Sequence, residues 1–148
     1  MDVYFRAHWL TIASGTRITE NRGGVCRTRS IVTTVRLKRA YEPASPEDGT
    51  RVLVDRLWPR GIRKSDAAID YWARELAPST ELRKWFGHDP RRWQEFRRRY
   101  GVEISRHAEE LGHLHDLARR GTVTLVFGAR DELHNDAVVL REVLLSRD

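Results

Sequence analysis

A short aliphatic run that stops in a cluster of charge constrains this chain more than any other feature: residues 51–61 read RVLVDRLWPRG. Val52-Leu53-Val54 is the kind of segment that forms a strand buried on both faces. Asp55 and Arg56 follow it, Trp58 is bulky, and Pro59 removes a backbone donor and ends the ladder. Arg60 and Gly61 continue the turn. A carboxylate and two guanidiniums therefore stand where a buried strand emerges. In open α/β sheets that carboxyl edge is where ligands bind. The same residues also suit a purely structural strand end, with an Asp–Arg pair under a tryptophan lid.

Two further β-rich runs flank this one. Residues 31–38 (IVTTVRLK) predict a first strand, residues 51–55 the second and residues 122–127 (TVTLVF) the third. Between the first two, Ser45-Pro46-Glu47-Asp48 has the form of an N-cap, a proline at N1 and acids in the first turn, so one helical turn is expected. That connection is close to the minimum for a parallel crossover, and a hairpin stays open.

Ser65 or Asp66 caps a predicted helix through Leu76, with Ile69, Trp72, Ala73 and Leu76 on one stripe. Ser79 caps a short helix that stops at Gly87, and Asp89-Pro90 starts a long one running to Gly121. Gly101 and Gly112 predict a break near one or the other. A last helix is expected from about His134 to Leu145. Strands separated by helical patterns give an α/β class: a small, mostly parallel sheet of three strands covered by helices on both faces.

A chain of 148 residues suits one domain with a real core. No apolar run approaches a membrane span, and Arg6 and His8 interrupt any leader-like segment, so a cytoplasmic protein is expected. Cys26 is the only cysteine and can form no intrachain disulfide. The net charge of +6 invites a nucleic-acid reading, but residues 1–40 hold eight Lys/Arg against two acids, which accounts for all of it. Residues 1–30 lack any sustained period and read as a basic extension, at most a loosely docked hairpin. Residues 31–148 read as a single domain.

The loop after the third strand runs Gly128-Ala129-Arg130-Asp131-Glu132-Leu133-His134-Asn135-Asp136. If strands two and three are parallel, it opens at the same edge as residues 55–61. Guanidiniums from Arg56, Arg60 and Arg130 suit phosphate or carboxylate, and His134 or Asn135 near a helix start can donate to an anion. Asp55 or Asp131 can serve as a base if burial raises its pKa. The plainer use of Asp131 or Asn135 is to cap the last helix.

Arg91, Arg92, Arg97, Arg98 and Arg99 form the densest positive run after residue 40. They share a helix with an inward stripe of Trp93, Phe96 and Tyr100, so a solvated face is the expected use and phosphate-backbone binding the alternative. Five tryptophans suggest base-stacking platforms, but Trp72, Trp85 and Trp93 fall on core stripes. No paired-cysteine or HExxH spacing points to a metal, and no glycine-rich fingerprint points to a cofactor.

Three blocks carry a family resemblance: VRLKRAYEPASPEDGTRVLVDRLWPRGIRK, ELAPSTELRKWFGHDPRRWQEFRRRY and TVTLVFGARDELHNDAVVL. Together they resemble the bacterial domain-of-unknown-function 488 family, in its short YeaO-like branch, over about residues 31–148. The resemblance implies a small α/β sheet domain and no established activity. It also implies shared motif positions at Asp55, Arg56, Trp58, Pro59, Arg60, Gly61, Ser79, Arg83, His88, Asp131, His134 and Asn135. Other branches resemble carriers of a Cys-His-Arg cluster in the loop after the last strand. Here His134-Asn135 stands there without a thiol.

The expectation is an α/β domain that binds a small anionic ligand at the carboxyl edge of its sheet. Arg56, Arg60 and Arg83 would clamp the anion. Trp58, Ser79, His134 and Asn135 would complete the site, and Asp55 or Asp131 would orient an arginine or act as a base. No metal and no cofactor is expected. A nucleic-acid-associated protein using the basic arm and the Arg91–Arg99 face is the alternative.

Overall fold

The computed structural model describes residues 33–146; the extension expected over residues 1–30, with Cys26, lies outside them. Four strands, β1 (Val35–Arg39), β2 (Thr50–Leu53), β3 (Tyr71–Trp72) and β4 (Val123–Phe127), form one sheet in the order β1-β4-β2-β3. Every pairing is parallel. The strand latest in sequence thus lies between the first two, and all five of its residues are buried. A central strand covered on both faces must be apolar throughout, and the TVTLVF run answers to that. The hairpin left open between β1 and β2 is excluded, because residues 40–49 carry the chain past the position of β4.

The two faces of the sheet are covered differently. One parity of strand residues (Val35, Val52, Val54, Val123, Leu125 and Phe127) shares a single core with α2 (Thr80–Phe86), α3 (Trp93–Ser105), α4 (Ala108–Arg120) and α5 (Asp136–Leu145). The other parity supplies a smaller cluster of Ala40, Leu53 and Val126, packed under Trp58, Ile62, Ile69 and Trp72. A loop and the four-residue α1 (Lys64–Ala67) therefore cover the face where a full helix was expected.

The rest of that second face is ionic. The predicted turn forms as a 3-10 helix, Pro46–Asp48, and Asp48 closes its capping box by accepting from the Ser45 N–H at 3.0 Å. Asp48 is 4% exposed and takes the Lys38 Nζ at 3.0 Å and the Arg51 guanidinium as well. Arg51, 3% exposed, donates through Nε to the Ala67 carbonyl at 3.1 Å, and Thr124 Oγ1 donates to the Asp48 carbonyl at 2.7 Å. The Asp48 carboxylate thus joins β1 to β2, its carbonyl ties in β4, and its partner Arg51 reaches α1. Gly49 follows at φ 62°, and a Cβ there would collide with the Thr122 carbonyl, so the turn into β2 requires glycine.

The predicted helix from residue 65 to Leu76 is the largest departure. It stops at Ala68, in the left-handed region at φ 46°, and the chain becomes β3. The Asp70 N–H donates to the Arg51 carbonyl and the Ala73 N–H to the Leu53 carbonyl, both at 2.9 Å, as a parallel ladder requires. The apolar stripe misled for a definite reason. Tyr71 and Ala73 face the main core and Trp72 between them faces the small cluster, which is strand-like alternation in a segment too short for its period to show.

The long helix also breaks elsewhere than at a glycine. α3 ends at Ser105 and α4 begins at Ala108, while Gly101 and Gly112 lie inside helices. Residues 105–109 are all exposed, so no core contact holds that turn straight.

Tyr100 sits wholly buried at the centre of the main core, its hydroxyl donating to the Leu76 carbonyl at 2.7 Å. Tyr100→Phe leaves that carbonyl without its donor and is expected to lower stability by about 1–2 kcal/mol in a urea melt. A variant as stable as the parent would show that Leu76 finds another partner.

Candidate functional site

β2 and β4 are parallel neighbours, so their carboxyl ends emerge side by side. The two polar loops meet there: Asp55 Oδ2 accepts from the Gly128 N–H at 2.8 Å. A Cβ at Gly128 would lie 2.9 Å from that same oxygen, so the close approach depends on glycine. On the other side, Trp72 Nε1 donates to the Asp55 carbonyl at 2.7 Å. Above these strand ends lies a cleft of about 280 Å³. Asp55, Arg56, Arg83, His88 and Asp136 supply its charged and titratable walls, and Leu57, Phe86 and Phe96 line much of the remainder.

The electrostatics of the cleft are unusual. Asp136, the first residue of α5, is pushed up to about 7, first by burial and then by the neighbouring Asp55. Asp55 is also raised by burial, held back by the Gly128 N–H and by its neighbours Arg83 and His88. Two carboxyl groups therefore share a partly dry space and oppose each other's ionisation. Arg83 faces both, yet its guanidinium is poorly satisfied. Among the described residues its Nε is shut off from solvent with no partner, and Nη2 reaches only Thr80 Oγ1 at 3.4 Å. Arg56 makes no hydrogen bond or ion pair among the described residues. His88 adopts φ 56°, an uncommon conformation for a residue with a side chain, directly after Gly87 at φ 53° has ended α2.

Of the other residues singled out from the sequence, Asn135 lines the cleft, while Trp58, Arg60, Ser79, Asp131 and His134 do not. Asp131 accepts from the Leu133 and His134 N–H groups at 2.9 and 3.0 Å and meets His134 Nδ1 at 2.9 Å. Burial pushes its carboxyl up, but these bonds outweigh that and hold it below the ordinary carboxylate range, the reverse of what a base needs. His134 packs edge-on against Trp93. Asn135 borders the cleft but is committed: Oδ1 caps α5 at the Val138 N–H and Nδ2 donates to the Asp131 carbonyl. Trp58 packs against Trp72 and donates to the Ile62 carbonyl at 2.7 Å, as part of the cover over the small cluster. Ser79 caps α2 and donates to Glu103 at 2.6 Å. The Arg60 side chain is exposed.

The site gains two residues that the reading of the loops did not assign a role. Asp136 looked like an ordinary acid in a first helical turn, where acids are common. His88 was visible only as a position in the family motif, and so was Arg83.

Every arginine of the Arg91–Arg99 run has an acidic partner, the five guanidiniums sharing Asp89, Glu95 and Glu142. Arg91 pairs with Asp89 at 2.9 Å, Arg98 and Arg99 with Glu95 at 2.7 and 2.8 Å, and Arg97 with Glu142. The hydrogen bonds from Arg98 and Arg99 bring Glu95 down to about 2. Arg92 and Arg99 also lie against the Trp85 ring. Among the described residues no group of three or more His, Cys, Asp or Glu could hold a metal ion, and no helix is long and apolar enough to cross a membrane.

Comparison with known proteins returns relatives of one kind. The DUF488-N3i family, described as "Inactive DUF488-N3 subclade", matches residues 34–147. The chain is 45% identical over 112 residues to "Uncharacterized protein YeaO" of Escherichia coli (strain K12), covering 76% of this chain and 97% of that one. It is also 45% identical over 115 residues to "Uncharacterized protein Rv3073c" of Mycobacterium tuberculosis (strain ATCC 25618 / H37Rv), covering 78% and 97%. No solved structure matches.

Proposed function

Because the chain belongs to the DUF488 family, in a subclade described as inactive and alongside YeaO, we propose for it a binding role: it holds a small anionic ligand in the cleft at the carboxyl ends of β2 and β4. One observation carries this reading. Among the described residues the Arg83 guanidinium has a buried, unpartnered Nε at the cleft, and Arg56, which also lines it, is unengaged. A desolvated donor without a partner costs about 1–3 kcal/mol, and a bound carboxylate or phosphate removes that cost through charge-assisted bonds. Of the three arginines assigned to the anion from sequence, Arg56 and Arg83 line the cleft, and the clamp rests on these two. The lone Cys26 fits a cytoplasmic setting.

Thermal unfolding with inorganic phosphate and short carboxylates tests the proposal. Saturating ligand is expected to raise the midpoint by several degrees, since a hundredfold excess over Kd contributes about 2.7 kcal/mol. Arg83→Ala is expected to abolish the rise and Arg56→Ala to reduce it. No rise in the parent protein, or an equal rise in Arg83→Ala, would refute the reading.

A further inference from the structure

We infer that the cleft selects anions that carry a hydrogen-bond donor, a hydroxyl or an ammonium, in the same small molecule: hydroxy acids, amino acids and their phosphorylated counterparts. This rests on the anion-binding reading above and narrows it.

The argument begins from charges that are present but not paired. On the surface, opposite charges close on each other, as Arg98 does on Glu95 at 2.7 Å. In the cleft, two guanidiniums and two carboxyl groups share one wall system, yet neither Arg56 nor Arg83 forms an ion pair with Asp55 or Asp136 among the described residues. Arg83 is near enough to act on both carboxyls electrostatically without bonding to either. Both kinds of charge open on the same cleft.

A plain anion serves only half of this arrangement. It meets Arg56 and Arg83, but it is repelled by Asp55 and gives the carboxyl oxygens no donor. Asp55 spends Oδ2 on the Gly128 N–H, while Oδ1 has no partner among the described residues and is not shut off from solvent. Asp136 takes only main-chain donors, the Ala137 N–H at 3.1 Å and its own N–H, and no side chain donates to it among the described residues. A ligand with a donor near its anionic group satisfies both halves at once. Size narrows the class further: about 280 Å³ is below the ~300–1,000 Å³ of drug-sized pockets, which suits a small metabolite better than a nucleotide.

The test titrates the full chain with two matched series: succinate, malate and aspartate, then propyl phosphate, glycerol 3-phosphate and phosphoethanolamine. A hydrogen bond to a charged group is worth about 1.5–3 kcal/mol, so the donor-bearing members are expected to bind roughly tenfold tighter or better than their parents. That preference is expected to collapse for the ammonium members in Asp136→Asn and in Asp55→Asn, two variants that keep the shape of the wall. The stronger series shows whether the site takes a carboxylate or a phosphate. Equal affinity for parents and donor-bearing members overturns this inference and leaves the anion reading standing. A preference that survives in both aspartate variants also overturns it. Absence of binding in every member, or binding indifferent to Arg83→Ala, overturns the anion reading instead.

Discussion

Replacing Asp48 by alanine is expected to destabilise this protein by about 3–5 kcal/mol, the usual cost of removing one partner from a buried ion pair. The reason lies in what remains. Arg51 is 3% exposed and keeps only its Nε bond to the Ala67 carbonyl, so its charge stays buried without a counterion. Lys38, on β1, loses its carboxylate as well, and the 3-10 turn between β1 and β2 loses its capping box. A typical domain has only about 5–15 kcal/mol of stability, so a large share is at stake.

Two measurements separate this account from simple loss of packing. The double variant Asp48→Leu/Arg51→Met removes both charges and is expected to recover most of the loss in denaturant melts, because an apolar pair in a buried site needs no counterion. The acid limb should also change. Burial alone raises Asp48, but the bonds from Lys38, the Ser45 N–H and Arg51 outweigh it and leave the folded carboxyl below its ordinary 3.8. A lowered folded pKa gives stability that is present above the unfolded value and is lost as pH falls through the folded one. Asp48→Asn should therefore flatten the loss of stability below pH 4. A double variant no better than the single one would count against the ion network.

Asp136→Asn is expected to act in the opposite direction, stabilising the protein by about 2 kcal/mol at pH 8 and by close to nothing near pH 4. The folded carboxyl titrates at about 7 against an ordinary 3.8. Below pH 4 both states hold the proton and the residue is neutral to folding. Between pH 4 and 7 the unfolded chain releases its proton while the folded one retains it, so stability falls as pH rises. Above pH 7 the penalty is complete. At about 1.4 kcal/mol per pH unit the ceiling is near ~4 kcal/mol, and the access that the cleft gives this carboxyl reduces it to about half. Asp55, Arg83 and Tyr100 are the titratable groups that bear on Asp136, and Asp55 and Arg83 bear on it most. Melts of both proteins at pH 4, 6 and 8 decide the matter. A variant that gains nothing on going from pH 4 to pH 8 would show that Asp136 is ordinarily ionised. A group whose charged form weakens the fold but which sits on a cleft wall is the usual mark of a trade between stability and binding.

Much of the scaffold behind this site could be read in advance. The runs at residues 51–55 and 122–127 are short, apolar and bounded by breakers, so β2 and β4 were recognisable. Helical patterns between the strands implied parallel pairing, which places loops 55–61 and 128–135 at one edge. β3 could not be read, because two residues of strand following four residues of helix have no period of their own. Its existence depends on the Asp70 and Ala73 amides finding carbonyls on β2. The same limit applies to the site. Trp58, in a loop full of charge, looked like a ligand contact, but its indole is committed to Ile62 and Trp72. Asp131, a candidate base, is committed to its own loop.

The order of residues along the chain, by itself, determined where three of the four strands and most helices lie, which caps begin them, and that Asp55 and Gly128 stand at strand ends. Those are local matters, decided by side-chain shape, backbone propensity and the alternation of apolar and polar residues. Only the tertiary structure decided that β4 lies between β1 and β2, that Asp136 stands beside Asp55, and that the Arg83 Nε is left without a partner among the described residues. Burial and the distance between charges far apart in sequence set those properties, and neither exists until the chain has packed.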